Sequence, residues 1–181
     1  MTCSGYVLAG GRSSRMGRDK ARLPFRGSDL VSAVAGAVAR AAGNVTLVGH
    51  SELPAIPDRY PGGGPLGGIL TALHHTSADW NLIVACDMPE VSAAFLTGLL
   101  AQARRSRADI LLPRGPDGLP QPLCAVYRRR ALPVLEDHFA RGVRKVAAAL
   151  AGLEVEPLVV AELSFFQNVN TPEDWAAYAA K

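Results

Sequence analysis

Between Tyr6 and Lys20 the sequence reads Tyr-Val-Leu-Ala-Gly-Gly-Arg-Ser-Ser-Arg-Met-Gly-Arg-Asp-Lys, and no other stretch gathers so many residues able to do chemistry. The apolar run Tyr6 to Ala9 reads as a buried strand that stops at Gly10 and Gly11, where backbone can turn tightly and approach a ligand. Exposed N–H groups on such a turn, together with Arg12, Arg15, Arg18 and Lys20, form a cationic concavity suited to a polyphosphate. A Walker A loop is excluded: Gly11 and Gly17 lie six apart where that motif needs five, and Arg18 follows in place of Lys-Ser/Thr. The dinucleotide pattern G-x-G-x-x-G is absent as well. A surface turn with solvated arginines would account for the glycines, but not for four cations and Asp19 in one loop.

Three further groups of polar residues stand next to apolar runs. Asp87, in Cys86-Asp87-Met88-Pro89, closes the run Leu82 to Ala85 and so falls at the carboxyl end of an expected central strand. It either caps the helix expected over Ala93 to Ala103 or binds the Mg²⁺ that accompanies a nucleoside triphosphate, which is typically held by one or two carboxylates plus phosphate and water. Asp58 is the acid beside the Pro/Gly-rich stretch Leu53 to Gly68, where it either makes an Asx turn or accepts hydrogen bonds from a nucleotide. Asn168 and Asn170 alternate in an extended segment and project to one side. Behind them Thr171, Pro172 and Asp174 read as a helix start.

These residues must be positioned by a scaffold, and the order of apolar runs describes one. A strand to Ala9, a helix over Ala33 to Ala42 ending at Gly43, and a strand over Val45 to Val48 open a parallel βαβ unit, which binds ligands beyond the carboxyl ends of its strands. Leu53 to Gly68 reads as a second ligand loop leading into a helix over Ile69 to His75. Strands follow at Asp109 to Pro113 and Pro122 to Tyr127, joined by Gly115-Pro116-Asp117-Gly118. Helices over Ala131 to Phe139 and Val143 to Ala151 and a strand near Val155 to Val160 complete the alternation. The expected fold is α/β, three layers around a mostly parallel sheet, as one domain over residues 1–181.

Composition bounds the rest. The 181 residues suffice for one core, and 49% hydrophobic with 19% charged residues is ordinary for a globular protein. No apolar run approaches the roughly eighteen residues of a membrane span, and the short N-terminal run breaks into glycines, so a cytoplasmic protein is expected. Three cysteines without C-x-x-C spacing favour neither a disulfide framework nor a zinc site, and Cys86 and Cys124 read as core. A net charge of +3, with no aromatics interleaved among the arginines, does not argue for nucleic acid. Arg104, Arg105, Arg107 and Arg128 to Arg130 read as a solvated face.

The run Leu8 to Lys20 resembles, nearly residue for residue, the L-A-G-G-x-S-x-R-M-G-x-D-K signature of the molybdenum cofactor guanylyltransferase family of nucleotidyltransferases. Asp58 with Pro61 to Gly68 resembles the family's D-x-x-P-G-x-G-P-L-x-G motif, Cys86 to Pro89 its C-D-x-P, and Asn168 to Asp174 its N-x-N-T-P-E-D ending. The resemblance implies a Rossmann-like nucleotide-diphospho-sugar transferase fold. It also implies transfer of GMP from GTP to the terminal phosphate of molybdenum cofactor with release of pyrophosphate. By the same resemblance Leu8, Ala9, Gly10 and Asp58 meet the nucleotide, Arg15 and Lys20 the β- and γ-phosphates, and Asp87 the Mg²⁺. Asn168 and Asn170 fall on the active-site side, and a basic residue near Arg144 and Lys145 is associated with the second substrate. Leu47-Val48-Gly49-His50 lacks an asparagine that certain relatives carry near the nucleotide. Implied partners are GTP, molybdenum cofactor and, transiently, proteins that carry or accept that cofactor, with the chain a monomer or weak oligomer. Competing expectations are a cytidylyl- or sugar-1-phosphate transferase of the same fold, and a nucleotide-binding protein without catalysis.

Overall fold

The computed structural model describes residues 2–10, 23–49, 55–167, 169, 174, 175 and 178. Its centre is a seven-stranded sheet in the order β5-β4-β1-β6-β8-β7-β9, built from β1 (Cys3–Leu8), β4 (Thr46–Val48), β5 (Ala55–Ile56), β6 (Trp80–Ala85), β7 (Ile110–Arg114), β8 (Cys124–Arg128) and β9 (Val155–Val159). β8 alone runs antiparallel, to both β6 and β7. The link 115–123 is too short for a crossover, since parallel strands need a dozen or more connecting residues. A two-stranded hairpin, β2 (Pro24–Phe25) and β3 (Ser28–Asp29), stands apart from the sheet.

Helices cover both faces. α1 (Leu30–Ala42) and α3 (Ala93–Ala103) pack with Val7, Leu82 and Val84 on one side. α2 (Gly64–His75), α4 (Leu132–Ala140) and the short α5 (Val146–Ala149) pack with Tyr6, Leu8 and Ile83 on the other. The alternation of Tyr6, Val7 and Leu8 between the two cores is the period of a strand buried on both faces, and all six residues of β6 are buried for the same reason. A third, smaller cluster joins Leu23, Phe25, Leu30 and Val169, with Trp175 and Tyr178 packed against it. No helix among the described residues is long and apolar enough to cross a membrane.

The boundaries follow local chemistry. α1 begins three residues earlier than its alanine-rich stretch suggests because Asp29 caps it, accepting the Ser32 N–H at 2.9 Å. It ends as expected at Gly43, whose φ of 80° closes the last turn. α2 begins at Gly64 rather than at Ile69, so the last five residues of the expected second loop, Gly64 to Gly68, are helix, with Pro65 in its first turn. Gly67 and Gly68 are tolerated there because the helix must lie close. A Cβ on Gly67 would come 3.0 Å from the Tyr60 carbonyl, and one on Gly68 3.2 Å from Leu8 Cδ2.

Asn44 extends the β1 ladder beyond the start of β4: its Oδ1 accepts the Gly5 N–H at 2.9 Å, and its amide donates to the Cys3 carbonyl at 3.0 Å. A Cβ on Gly5 would sit 2.5 Å from Val38 Cγ1 and 2.6 Å from the Asn44 carbonyl. Gly5→Ala is therefore expected to destabilise the fold by about 1–3 kcal/mol, the usual range for overpacking, read as a fall in Tm.

Candidate active site

In open α/β sheets ligands bind outside the carboxyl ends of the strands, where the order reverses. Here the reversal lies between β1, whose next strand β4 is on one side, and β6 on the other. The exits are held in step by main-chain bonds: Ala9 N–H to Val48 O at 3.0 Å, Cys86 N–H to Leu8 O at 3.1 Å and Gly49 N–H to Ile56 O at 2.9 Å. Gly10 and Gly49 then pack backbone to backbone. A Cβ on Gly10 would lie 3.0 Å from the Gly49 carbonyl oxygen, and Gly49 itself has a φ of 87° that other residues rarely adopt.

Beside this contact opens a cavity of about 940 Å³, lined by Leu8, Gly10, Val48, Gly49 and Asp58 on the strand side and by Pro61, Gly62, Gly64, Pro65 and Gly68 at the start of α2. Among the described residues its wall is mostly glycine and proline, with Asp58 the one carboxylate. Of the residues expected at the site, Leu8, Gly10 and Asp58 thus meet in one cavity. Ala9 is buried in the α1/α3 core, and Asp87 stands half-buried at the end of β6, where its carbonyl accepts the Val169 N–H at 3.0 Å. Arg15, Lys20, Asn168 and Asn170 lie outside the described residues, as do Arg12, Arg18 and the helix start at Thr171 and Pro172.

Local contacts bear on the turn and cap roles of both acids. Asp58 Oδ1 accepts the Tyr60 N–H at 2.9 Å and the Thr71 hydroxyl at 3.0 Å, so it makes the Asx turn and also faces the cavity. Asp87 does not cap α3, because Ser92 does, accepting the Phe95 N–H at 3.2 Å. Arg144 is exposed and packs on α4. It lies 3.9 Å from the Phe139 ring centroid and donates to the Phe139 carbonyl at 2.7 Å, in the last turn of α4. Cys124 is core, its thiol pushed up to about 12 by burial and so inert, whereas Cys86 is only half-buried.

Sequence reasoning missed Thr71 and a cluster around Tyr60. The Tyr60 hydroxyl donates to Glu136 Oε1 at 2.9 Å, and His74 Nε2 lies 3.0 Å from that hydroxyl and 2.6 Å from Glu136 Oε1. Burial pushes the Glu136 carboxyl up, but the hydrogen bonds from His74 and Tyr60 outweigh it and hold the group below 4.5. Helical spacing was the available signal: Gly67, Thr71 and His74 are four and then three apart, and so share a face of α2.

Two predictions follow from these contacts. Ser92→Ala should cost about 1 kcal/mol of stability as a lost cap, and Asp87→Asn should not show that loss; paired thermal melts test it. Because the Glu136 carboxyl is depressed in the folded state, its contribution is present above 4.5 and lost as pH falls through its lower folded value. Glu136→Gln should accordingly flatten the acid limb of a Tm-against-pH curve and leave the neutral limb unchanged in slope.

The model of the MobA-like NTP transferase domain matches residues 5–155. A probable molybdenum cofactor guanylyltransferase of Bacillus mycoides is 31% identical over 96% of this chain and 94% of its own length. One from Bacillus cereus is 32% identical over 95% of this chain and 93% of its own. Among solved structures, molybdopterin-guanine dinucleotide biosynthesis protein A from Archaeoglobus fulgidus superposes with a TM-score of 0.82 at 28% identity, covering 96% of this chain and 95% of that one. With a match over most of its length, and a sheet, strand exits and cavity in keeping with it, the chain belongs to the MobA-like NTP transferase family of nucleotidyltransferases.

Proposed function

We propose that the chain transfers GMP from GTP to the terminal phosphate of molybdenum cofactor, forming the guanine dinucleotide cofactor and pyrophosphate. The observation that carries this reading is the glycine-walled cavity between the β1 exit and the start of α2, with Asp58 inside it and Asp87 on the next strand. Relatives bearing the guanylyltransferase description over nearly the whole chain support it.

In this reading the nucleoside occupies the cavity, with the main chain of Leu8, Ala9 and Gly10 and the carboxylate of Asp58 as its polar partners. Arg15 and Lys20 take the β- and γ-phosphates, and Asn168 and Asn170 face the reacting groups. The acceptor needs no general base, because a phosphate monoester is largely ionised at pH 7, its second pKa being about 6. An acceptor oxygen attacks the α-phosphorus, the bond from α-phosphorus to the bridging oxygen breaks, and pyrophosphate leaves with the electron pair. The residues hold the two substrates in line and offset the charge that builds on the leaving group.

Asp87 suits a hard divalent cation because it is a carboxylate just beyond the carboxyl end of the central strand β6. Mg²⁺ held there would neutralise triphosphate oxygens. The chain is read as one domain over residues 1–181, acting on GTP and molybdenum cofactor.

The test is Mg²⁺-dependent pyrophosphate release by the purified protein given molybdenum cofactor, with GTP, CTP and ATP in parallel and the product confirmed by mass. GTP alone is expected to support turnover; release with CTP instead would keep the site and overturn the base. Lys20→Ala and Asp87→Ala should each lower kcat by roughly 10²–10³ without lowering Tm appreciably, and near-normal rates in either would overturn its role.

A further inference from the structure

The Tyr60, His74 and Glu136 cluster lies outside the cavity wall, yet one main-chain bond of Tyr60 ends on the lining residue Asp58 and another on Gly63, between the lining residues Gly62 and Gly64. Its N–H holds Asp58 Oδ1 at 2.9 Å, and its carbonyl accepts the Gly63 N–H at 2.8 Å, closing the turn that carries Gly62 and Gly64. Its side chain is fixed from two helices, His74 of α2 and Glu136 of α4, and its ring meets Phe139 edge to face at 5.0 Å. Phe139 in turn fills the space a Cβ on Gly63 would need, 2.9 Å away. One residue therefore connects the packing of α2 against α4 to the two polar features of the cavity.

We propose that Tyr60, latched by Glu136 and His74, is a positioning residue for nucleotide binding: it sets where Asp58 and the Gly62–Gly64 turn stand and so tunes affinity, not the chemical step. This rests on the reading of the cavity as the nucleotide site. Freeing the phenol leaves the ring packed but lets the segment 58–63 shift relative to α2. The Thr71 hydroxyl, bonded to Asp58 Oδ1 and to the Gly67 carbonyl, ties the same segment to α2 independently, so the latch tunes the site without being its sole support.

The test uses Tyr60→Phe, Glu136→Gln and the double variant in the full chain, with Kd for GTP measured directly and KM and kcat in the transfer assay. Tyr60→Phe is expected to raise Kd and KM roughly three- to ten-fold, the loss of about one hydrogen bond, and Glu136→Gln, whose amide oxygen still accepts from the phenol but without the charge, by roughly two- to three-fold, with kcat at saturating GTP within about two-fold of wild type in both. Because both act through one contact, the double variant should cost no more than the larger single change. Unchanged Kd in both variants, or a fall in kcat at unchanged KM, would overturn the proposal while leaving the nucleotide site standing. Failure of the wild-type protein to bind GTP would instead overturn the nucleotide reading and the latch with it. Should Tyr60→Phe prove too unstable to assay, Glu136→Gln carries the same test, its side chain being 38% exposed on α4.

Discussion

The arrangement at the carboxyl edge of the sheet depends on main chain packed directly against main chain. Gly10 leaving β1 meets Gly49 leaving β4, and Gly67 and Gly68 bring α2 down onto Tyr60 and Leu8. Side chains at these positions would push the strand exits and the helix apart and fill the space that is now a cavity. Glycine weakens a helix by about 0.5–1 kcal/mol relative to alanine, so α2 is poor by propensity. Burial of Leu66, Ile69, Leu70 and Leu73 offsets that loss, each such side chain contributing about 1.5–3 kcal/mol.

A wall made of backbone has a functional consequence. N–H and C=O groups fixed by a sheet and a helix cannot swing to suit a ligand, and among the described lining residues the side-chain polarity is concentrated in Asp58. That carboxylate is held on one oxygen by Tyr60 and Thr71. An Asx turn and a ligand contact are thus compatible duties, the turn aiming the carboxylate. Asp87 is different in kind. Its neighbour Ser92 takes the helix cap, and its place at the end of a strand buried on both faces gives it a rigid base next to β1.

The histidines illustrate how a residue outside the motifs can still bear on a site. His75 Nδ1 lies 3.0 Å from the hydroxyl of Tyr6 in β1, and His74 meets Tyr60 and Glu136. Both stand in the last turn of α2, one helix length from the glycine-rich start that lines the cavity. They tether the far end of the helix whose near end forms the wall, one to the sheet and the other to α4.

The class of fold, the strand that leads into the glycine loop, the Asp at the end of β6 and the C′ glycine of α1 were legible in the sequence, because each is a local signal: apolar periodicity, a turn residue, or a carboxylate at the end of an apolar run. The strand β8 and the turn before it were read as well, but its antiparallel direction came only with the structure. The start of α2 was not, since Gly-Pro-rich sequence reads as loop unless something buries it, and what packs against it is Tyr60 just upstream and Leu8 from the distant β1. Likewise the sequence left Asp58 and Asp87 each with two roles. Choosing between a turn and a cap depends on which partners come within hydrogen-bonding distance: the α3 cap by Ser92 is a local contact three residues from Phe95, whereas packing brings Thr71 to Asp58. Local chemistry determined which residues were candidates; the contacts between elements far apart in the chain decided what each one holds.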